Sequence, residues 1–223
     1  IKGVATNHVQ KMGNQYSISL ANGQNIEADY VVLALPNEAV QSILQDDSLT
    51  HYFDQFTTAS AITIYLGFDV PDANLPADGT GFIVSHNSDV TCNAATWTSR
   101  KWKHTSKNNQ LLVRLFYKSI NPAYEQLRKM TDNELAAVAL EDVRKSLGID
   151  EKPTVVNVTK WIDQMPKYDL AHREALQGLL LELNENYPNL SIAGCSYFGV
   201  GIGACIQNGK KIGEELAEEL SNF

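Results

Sequence analysis

The sequence predicts a chain of mixed class, α/β at its two ends and α+β between them, with a sheet-rich segment inserted into a divided domain. Three observations predict it. The first fifty or so residues alternate as strands, end in an unbroken apolar run and pass into a helix. The middle is dominated by strands and carries one long helix, and the end returns to strand–helix alternation around a glycine cluster. The expected boundaries are 1–50, 51–153 and 154–223.

Each element has a local reason. Val4–Val9 reads as a strand reversed at Gly13-Asn14. Tyr16, Ile18 and Leu20 alternate with Ser17 and Ser19, the period of a strand with one buried face. Asn22-Gly23 predicts a two-residue hairpin turn. The third strand ends in Tyr30–Leu35, an apolar run expected to be buried on both faces. Pro36 stops it, and Ala39, Val40, Ile43 and Leu44 share a face of a short helix.

In the middle, Ala61–Phe68, Gly81–Ser85, Thr91–Thr98 and Leu111–Tyr117 read as strands, with a Pro/Asp/Gly-rich loop from Pro71 to Gly79. Ser99–Gln110 reads as a long exposed turn. Thr131-Asp132-Asn133-Glu134 predicts a capping box opening a helix through Leu135, Val138, Val143 and Leu147 that stops at Gly148. Thr154–Trp161 is then a strand, and Leu170–Asn186 a helix with Leu176, Leu179, Leu180 and Leu183 inward. Leu190–Ala193 is a short buried strand, and Gly203–Leu220 a closing helix in which Gly209 and Gly213 would permit close packing on a sheet.

Composition narrows the function. The 223 residues carry 18 Lys plus Arg against 26 Asp plus Glu, a net charge of −8 that argues against a nucleic-acid partner. No apolar run reaches the ~18 residues of a spanning helix. The opening Ile1-Lys2-Gly3-Val4 reads as the middle of a strand, which suggests a chain cut from something longer. Three cysteines without a CxxC point to reduced thiols and a cytoplasmic setting, with peripheral membrane association left open. The five histidines, His8, His51, His86, His104 and His172, lack ligand spacing, so no metal site is expected.

The densest chemical signal runs from Ala193 to Ile206. Gly199-Val200-Gly201-Ile202-Gly203-Ala204 fits G-x-G-x-x-A between a strand and a helix. The dinucleotide fingerprint also needs a second parallel strand with an acidic residue ~20 positions on, and the sequence offers none. A glycine turn at a helix N-terminus still lets a flat or anionic ligand approach unpaired N–H groups, and would suit the N1/C2=O edge of a flavin. A glycine-rich helix start made for packing alone stays open beside that reading.

An ordered set of residues carries a resemblance. Val158-Thr159-Lys160-Trp161, Met165-Pro166-Lys167-Tyr168, His172, and Gly194-Cys195-Ser196-Tyr197 through Gly199-Val200-Gly201-Ile202, Cys205-Ile206 and Gly209 resemble the FAD-containing, oxygen-dependent protoporphyrinogen/coproporphyrinogen oxidases of the soluble Gram-positive type. Gly79–Ser85, Thr96-Trp97-Thr98, Lys101-Trp102 and the early meander extend it over nearly the whole chain. The resemblance implies a discontinuous FAD-binding domain of glutathione-reductase-like or amine-oxidase-like class, with an inserted substrate domain. It implies that the N-terminal Rossmann half of the same protein lies upstream of Ile1 and is a partner of this chain. Its activity would be oxidation of coproporphyrinogen III or protoporphyrinogen IX to the porphyrin by hydride transfer to FAD, with dioxygen reduced to hydrogen peroxide, in haem biosynthesis. The isolated chain is expected to be inactive, with an exposed apolar face where the other half docks. Another flavin amine-oxidase or desaturase-like oxidoreductase, and a non-enzymatic tetrapyrrole-binding module, stay as alternatives.

Carried over residue by residue, the resemblance implies that Val9 offers its backbone to the adenine and that Ala34 and Leu35 pass the diphosphate region. Trp161 would stand beside the flavin, Cys195 would lie against the cofactor, and Val200, Gly201 and Ile202 would form the backbone run at the pyrimidine edge. Gly203-Ala204 departs from a common Pro-Asp, Phe198 from a common Glu and Ala171 from a common Gly, so no role for an acidic pair transfers. No catalytic acid or base is named. His172 is read as a capping or core residue before a flavin contact, and Arg100, Lys101, Lys103 and His104 as a solvated loop before a propionate site. Cys195 and Cys205 are read as buried small apolar residues.

Overall fold

Residues 1–221, apart from 76, 77, 86 and 109, are described by a computed structural model in which the chain divides into unit 1 (1–58 and 166–223) and unit 2 (59–165). Pro76, Ala77, Asn109, Asn222, Phe223 and the expected non-ligand His86 lie outside the described residues.

Unit 1 opens with an antiparallel meander of β1 (Thr6–Met12), β2 (Gln15–Leu20) and β3 (Asn25–Ala28). The two-residue turn is Gly13-Asn14, between the paired Met12 and Gln15, with Gly13 left-handed at φ +67. The second reversal is wider than the two residues expected. Leu20 N–H donates to the Gln24 carbonyl at 2.8 Å, leaving a three-residue loop with Gly23 left-handed. Asn22 Oδ1 takes the Gln24 N–H at 3.1 Å, which is the local bond that widens it.

The expected third strand is two strands. A break at Asp29-Tyr30 separates β3 from β4 (Val31–Leu33), which leaves the meander for a separate two-stranded sheet. Nor is the run buried on both faces. Val31 and Leu33 point into the core, but Val32 and Leu35 stay 43% and 39% exposed, since among the described residues no element of unit 1 covers that side. α1 (Asn37–Leu44) follows Pro36, buries Val40, Ile43 and Leu44, and ends at a left-handed Gln45; α2 (Thr50–Phe53) adds one turn.

Unit 2 is a five-stranded sheet with a helix on one face. It comprises β5 (Thr58–Pro71), β6 (Gly81–Ile83), β7 (Ala94–Trp97), α3 (Thr98–Lys101), β8 (Gln110–Lys118), α4 (Tyr124–Leu127), α5 (Asp132–Leu147) and β9 (Val155–Pro166), in the strand order β6-β7-β8-β5-β9. Period-2 alternation sorts the faces. Ile62, Ile64, Leu66 and Phe68 of β5 and Leu111, Val113, Leu115 and Tyr117 of β8 form the core with Leu135, Ala139 and Val143 of α5. The expected capping box is made: Thr131 Oγ1 accepts the Glu134 N–H, and the Glu134 carboxylate accepts the Thr131 N–H at 2.7 Å. Gly148 ends the helix in the left-handed region.

A buried Asp142 on α5 shortens the strand expected at Thr91–Thr98. Its carboxyl accepts Thr91 N–H at 2.7 Å, Cys92 N–H at 2.8 Å and the Tyr117 hydroxyl at 2.9 Å, so those two amides leave the ladder and β7 starts at Ala94. At the other end Thr98, expected in the strand, opens α3, and Ser99, expected in an exposed turn, is buried. Arg100 is not solvated: its Nε donates to Asp72 Oδ2 at 2.9 Å and its guanidinium lies 5.1 Å from the Trp97 ring, while Lys101, Lys103 and His104 stay exposed.

The chain then returns to unit 1 with α6 (Leu170–Asn186), β10 (Leu190–Ile192) and α7 (Ile202–Ser221). β10 pairs in parallel with β4, matching Leu190 to Val31 and Ile192 to Leu33. The inward stripe of α6 is His172, Ala175, Leu179 and Leu183; Leu180 is exposed, one residue off the stripe. Gly178 packs against the Tyr52 ring, whereas a Cβ at Gly209 or Gly213 would meet nothing within 4 Å among the described residues.

Two predictions follow from unit 2. Asp142→Ala strands three donors, two of them buried, and should cost about 3 kcal/mol or more in urea unfolding; a loss under about 1 kcal/mol would deny the clip its role. Burial, and then Asp142, push the Cys92 thiol up to about 12. A thiol whose folded pKa is raised contributes its full stability below its ordinary value and loses it as pH rises toward the folded one. Thermal stability should therefore fall between about pH 9 and 12, and Cys92→Ala should flatten that fall.

Candidate functional site

The parallel pairing of β4 and β10 puts the carboxyl ends of two strands side by side, with Ala193 N–H donating to the Leu33 carbonyl at 3.0 Å. Just beyond them, Ala34-Leu35 and Gly194-Cys195 leave the sheet together. Ligands of α/β sheets bind in such crevices, outside the strand ends. Ala34, Leu35 and Cys195 are all exposed there. That overturns the expectation of a buried Cys195: the chain turns outward at Gly194 (φ +103), and Ser196 and Tyr197 take the inward positions instead. Cys205 is partly buried, its thiol 3.4 Å from the Gly199 carbonyl.

From Gly194 to Ile202 the backbone is held from several sides. Gly194 N–H donates to Asn208 Oδ1 at 3.0 Å, and Ser196 Oγ accepts the Asn37 N–H at 3.3 Å. His172 is a core residue, as favoured above. It is 3% exposed, its Nε2 lies 2.8 Å from the Ser196 carbonyl, and its own N–H caps onto Asp169. The Tyr168 hydroxyl donates to the Cys195 carbonyl and accepts the Gly199 N–H at 3.0 Å, tying both ends of the turn to one side chain. Desolvation raises the Tyr168 pKa, which keeps that donor protonated. Gly199 has φ +120, and a Cβ there would stand 2.9 Å from that of Ala204, so glycine is required twice over.

α7 then begins. Its first helical bond runs from Cys205 N–H to the Gly201 carbonyl at 3.0 Å, so the N–H groups of Ile202, Gly203 and Ala204 lie ahead of the ladder. No acidic side chain stands in the first turn, and a Cβ at Gly201 or Gly203 would meet nothing within 4 Å. Val200 and Ile202 are 50% and 81% exposed. The surface offered is bare backbone N–H groups at the positive end of a twenty-residue helix, bordered by apolar side chains. It fits the electron-rich edge of a flat heterocycle.

The structure thus brings Ala34, Leu35, Cys195, Val200, Gly201 and Ile202 to one rim of unit 1. Val9 is 3% exposed inside the core of that unit, so only its backbone is available, from β1 at the edge of its sheet. Trp161 belongs to unit 2, on β9, where it is 38% exposed and its Nε1 donates to Thr63 Oγ1 at 3.0 Å. Sequence reasoning missed the two clamps, Tyr168 and Asn208. The Tyr168 ring packs 4.6 Å from that of His172, but nothing local marks the reach of its hydroxyl, or of the Asn208 side chain, across the fold. Among the described residues no group of three metal-ligating side chains converges.

The family model described as flavin containing amine oxidoreductase matches residues 5–216. Coproporphyrinogen III oxidase of Bacillus subtilis (strain 168) is 31% identical over 209 residues, which is 94% of this chain and 44% of that protein. The enzyme of the same name from Staphylococcus aureus is 29% identical over 206 residues, 92% of this chain and 44% of its own. The crystal structure of a protoporphyrinogen oxidase described as putative, from Exiguobacterium sp. 255-15, superposes with a TM-score of 0.80 at 29% identity, over 97% of this chain and 47% of that one. The chain spans less than half the length of these relatives.

The exposures order the thiols. Ellman's reagent should titrate Cys195 at once in the folded protein, Cys205 more slowly and Cys92 only on denaturation. A slow Cys195 would contradict the outward turn at Gly194.

Proposed function

The chain belongs to the flavin containing amine oxidoreductase family, and on that premise we propose that it forms part of an FAD-dependent porphyrinogen oxidase of haem biosynthesis. The substrate is coproporphyrinogen III or protoporphyrinogen IX, the acceptor dioxygen, and the products the porphyrin and hydrogen peroxide. The observation that carries the reading is the match along 94% of the chain to a protein named coproporphyrinogen III oxidase. The bare N–H rim at the start of α7 supports the cofactor.

In this reading the FAD is held by the Val9 backbone near the adenine, by Ala34 and Leu35 along the diphosphate, and by Cys195, Val200, Gly201 and Ile202 at the flavin. Trp161 stands at the ring. Bound there, FAD would supply the redox chemistry, in which three two-electron oxidations turn one porphyrinogen into the porphyrin while three dioxygen molecules are reduced to hydrogen peroxide. The chain's own residues orient and stabilise. The N–H groups ahead of the α7 ladder favour negative charge at the pyrimidine edge, Tyr168 fixes the turn that presents them, and Val200 and Ile202 keep water from that edge. Unit 1 is the FAD-binding part and unit 2 the substrate-binding part. The N-terminal half of the same protein covers exposed apolar side chains of unit 1 such as Val32, Leu35, Ile202 and Ile206. Among the described residues no helix is long and apolar enough to cross a membrane; we place the protein in the cytoplasm.

The full-length protein loaded with FAD should turn coproporphyrinogen III into a fluorescent porphyrin while releasing hydrogen peroxide in proportion. Tyr168→Phe, which frees the Cys195 carbonyl and the Gly199 N–H, should weaken FAD binding up to about tenfold. A flavin-loaded protein that oxidises neither porphyrinogen would overturn the proposal.

A further inference from the structure

The face of the unit 2 sheet turned away from α5 carries an arginine that no carboxylate among the described residues meets. Arg114 lies on β8, paired with Tyr65 of β5 on one side and Thr96 of β7 on the other. Its guanidinium carbon stands 5.2 Å from the Tyr65 ring and 4.5 Å from the Phe116 ring. Its Nε is shielded from solvent yet has no hydrogen-bond acceptor, and among the described residues it forms no ion pair. In a chain with 26 acidic residues and a net charge of −8, a half-buried guanidinium without a carboxylate is an anomaly. The other partly buried arginine of the unit, Arg100, has Asp72.

The surroundings say what would satisfy it. Along β5, Thr63 shares the face of Tyr65 and pairs with Phe116, and the indole of Trp161 donates to Thr63. One sheet face therefore presents Tyr65, Phe116 and Trp161 around a single unpaired cation. Aromatic walls with a fixed forked donor suit a ligand that combines unsaturated rings with a carboxylate. Stacking against two rings also fixes the guanidinium before any ligand arrives, so little rotamer freedom is lost on binding. We propose that Arg114 receives a propionate carboxylate of the porphyrinogen and so sets the position of the macrocycle on the unit 2 sheet. This rests on the porphyrinogen-oxidase reading above and adds to it a specificity residue that the resemblance does not supply.

The test uses the full-length FAD-loaded enzyme with Arg114→Gln and Arg114→Lys. Arg114→Gln should raise KM for coproporphyrinogen III about tenfold or more, with kcat within about twofold, because a charge-assisted bond made equally in ground and transition states is lost. Binding of coproporphyrin III and of its tetramethyl ester, followed by porphyrin fluorescence, should show a preference for the acid in the wild type that Arg114→Gln abolishes. Arg114→Lys, which keeps the charge and loses the fork, should fall between; it also serves if the glutamine variant fails to fold. FAD content and melting temperature should not change. A wild-type KM and an intact acid preference in either folded variant would overturn the assignment of Arg114. A wild type that oxidises no porphyrinogen would overturn the reading beneath it, and is seen without any variant.

Discussion

The parallel pairing of Val31–Leu33 with Leu190–Ile192 joins strands that lie far apart in the chain, with the whole of unit 2 between them. Closing a loop of that length costs entropy, though the cost grows only slowly with length. It is offset locally, by the burial of Leu33, Ile192, Leu179 and Tyr197 in one cluster. Polar bonds fix the register: Tyr30 and Ser191 share a hydroxyl bond of 2.7 Å, Val31 N–H donates to the Asn189 carbonyl, and Tyr16 donates to the Pro188 carbonyl. Everything at the candidate site hangs from this pairing. It aligns the two strand ends, directs Gly194 outward and brings the start of α7 to the same rim.

Unit 2 obeys a different constraint. Its sheet spends one face on α5 and a dense apolar core, and the clip of Asp142 to Thr91, Cys92 and Tyr117 locks the helix to the sheet. The opposite face is thereby left free to carry groups the core would reject. Arg114, Thr63 and the indole N–H of Trp161 sit there among aromatic rings. In unit 1 a backbone surface presents N–H groups, and in unit 2 a side-chain surface presents rings and a cation; the proposed reaction asks for both, one for a cofactor and one for an acidic macrocycle.

Local signals were legible in the sequence wherever a short-range interaction decides the structure. The Thr131–Glu134 box, the Gly148 stop and the extent of α6 are of this kind. The readings that failed depended on distant partners. Tyr30–Leu35 looks like a doubly buried strand, but whether Val32 is covered depends on what lies over that face. Thr91–Thr98 has strand residues throughout, yet Asp142, some fifty positions on, withdraws the first two amides. At the candidate site Gly194 and Gly199 were readable because a positive φ selects glycine. The clamp from Tyr168 to the two ends of the turn was not, since a hydroxyl reaching across a fold leaves no local pattern. Arg114 escaped for the converse reason: what distinguishes it is a partner it lacks.

If the backbone at the start of α7 holds a flavin edge, as proposed, amide hydrogen exchange of the full-length protein with and without FAD reads it at single residues. Ile202, Gly203 and Ala204 have N–H groups ahead of the helical ladder, so they should exchange fast without FAD and become protected when it binds, while amides deep in α6 change little. Protection that appears elsewhere and leaves these three amides unchanged would contradict the account.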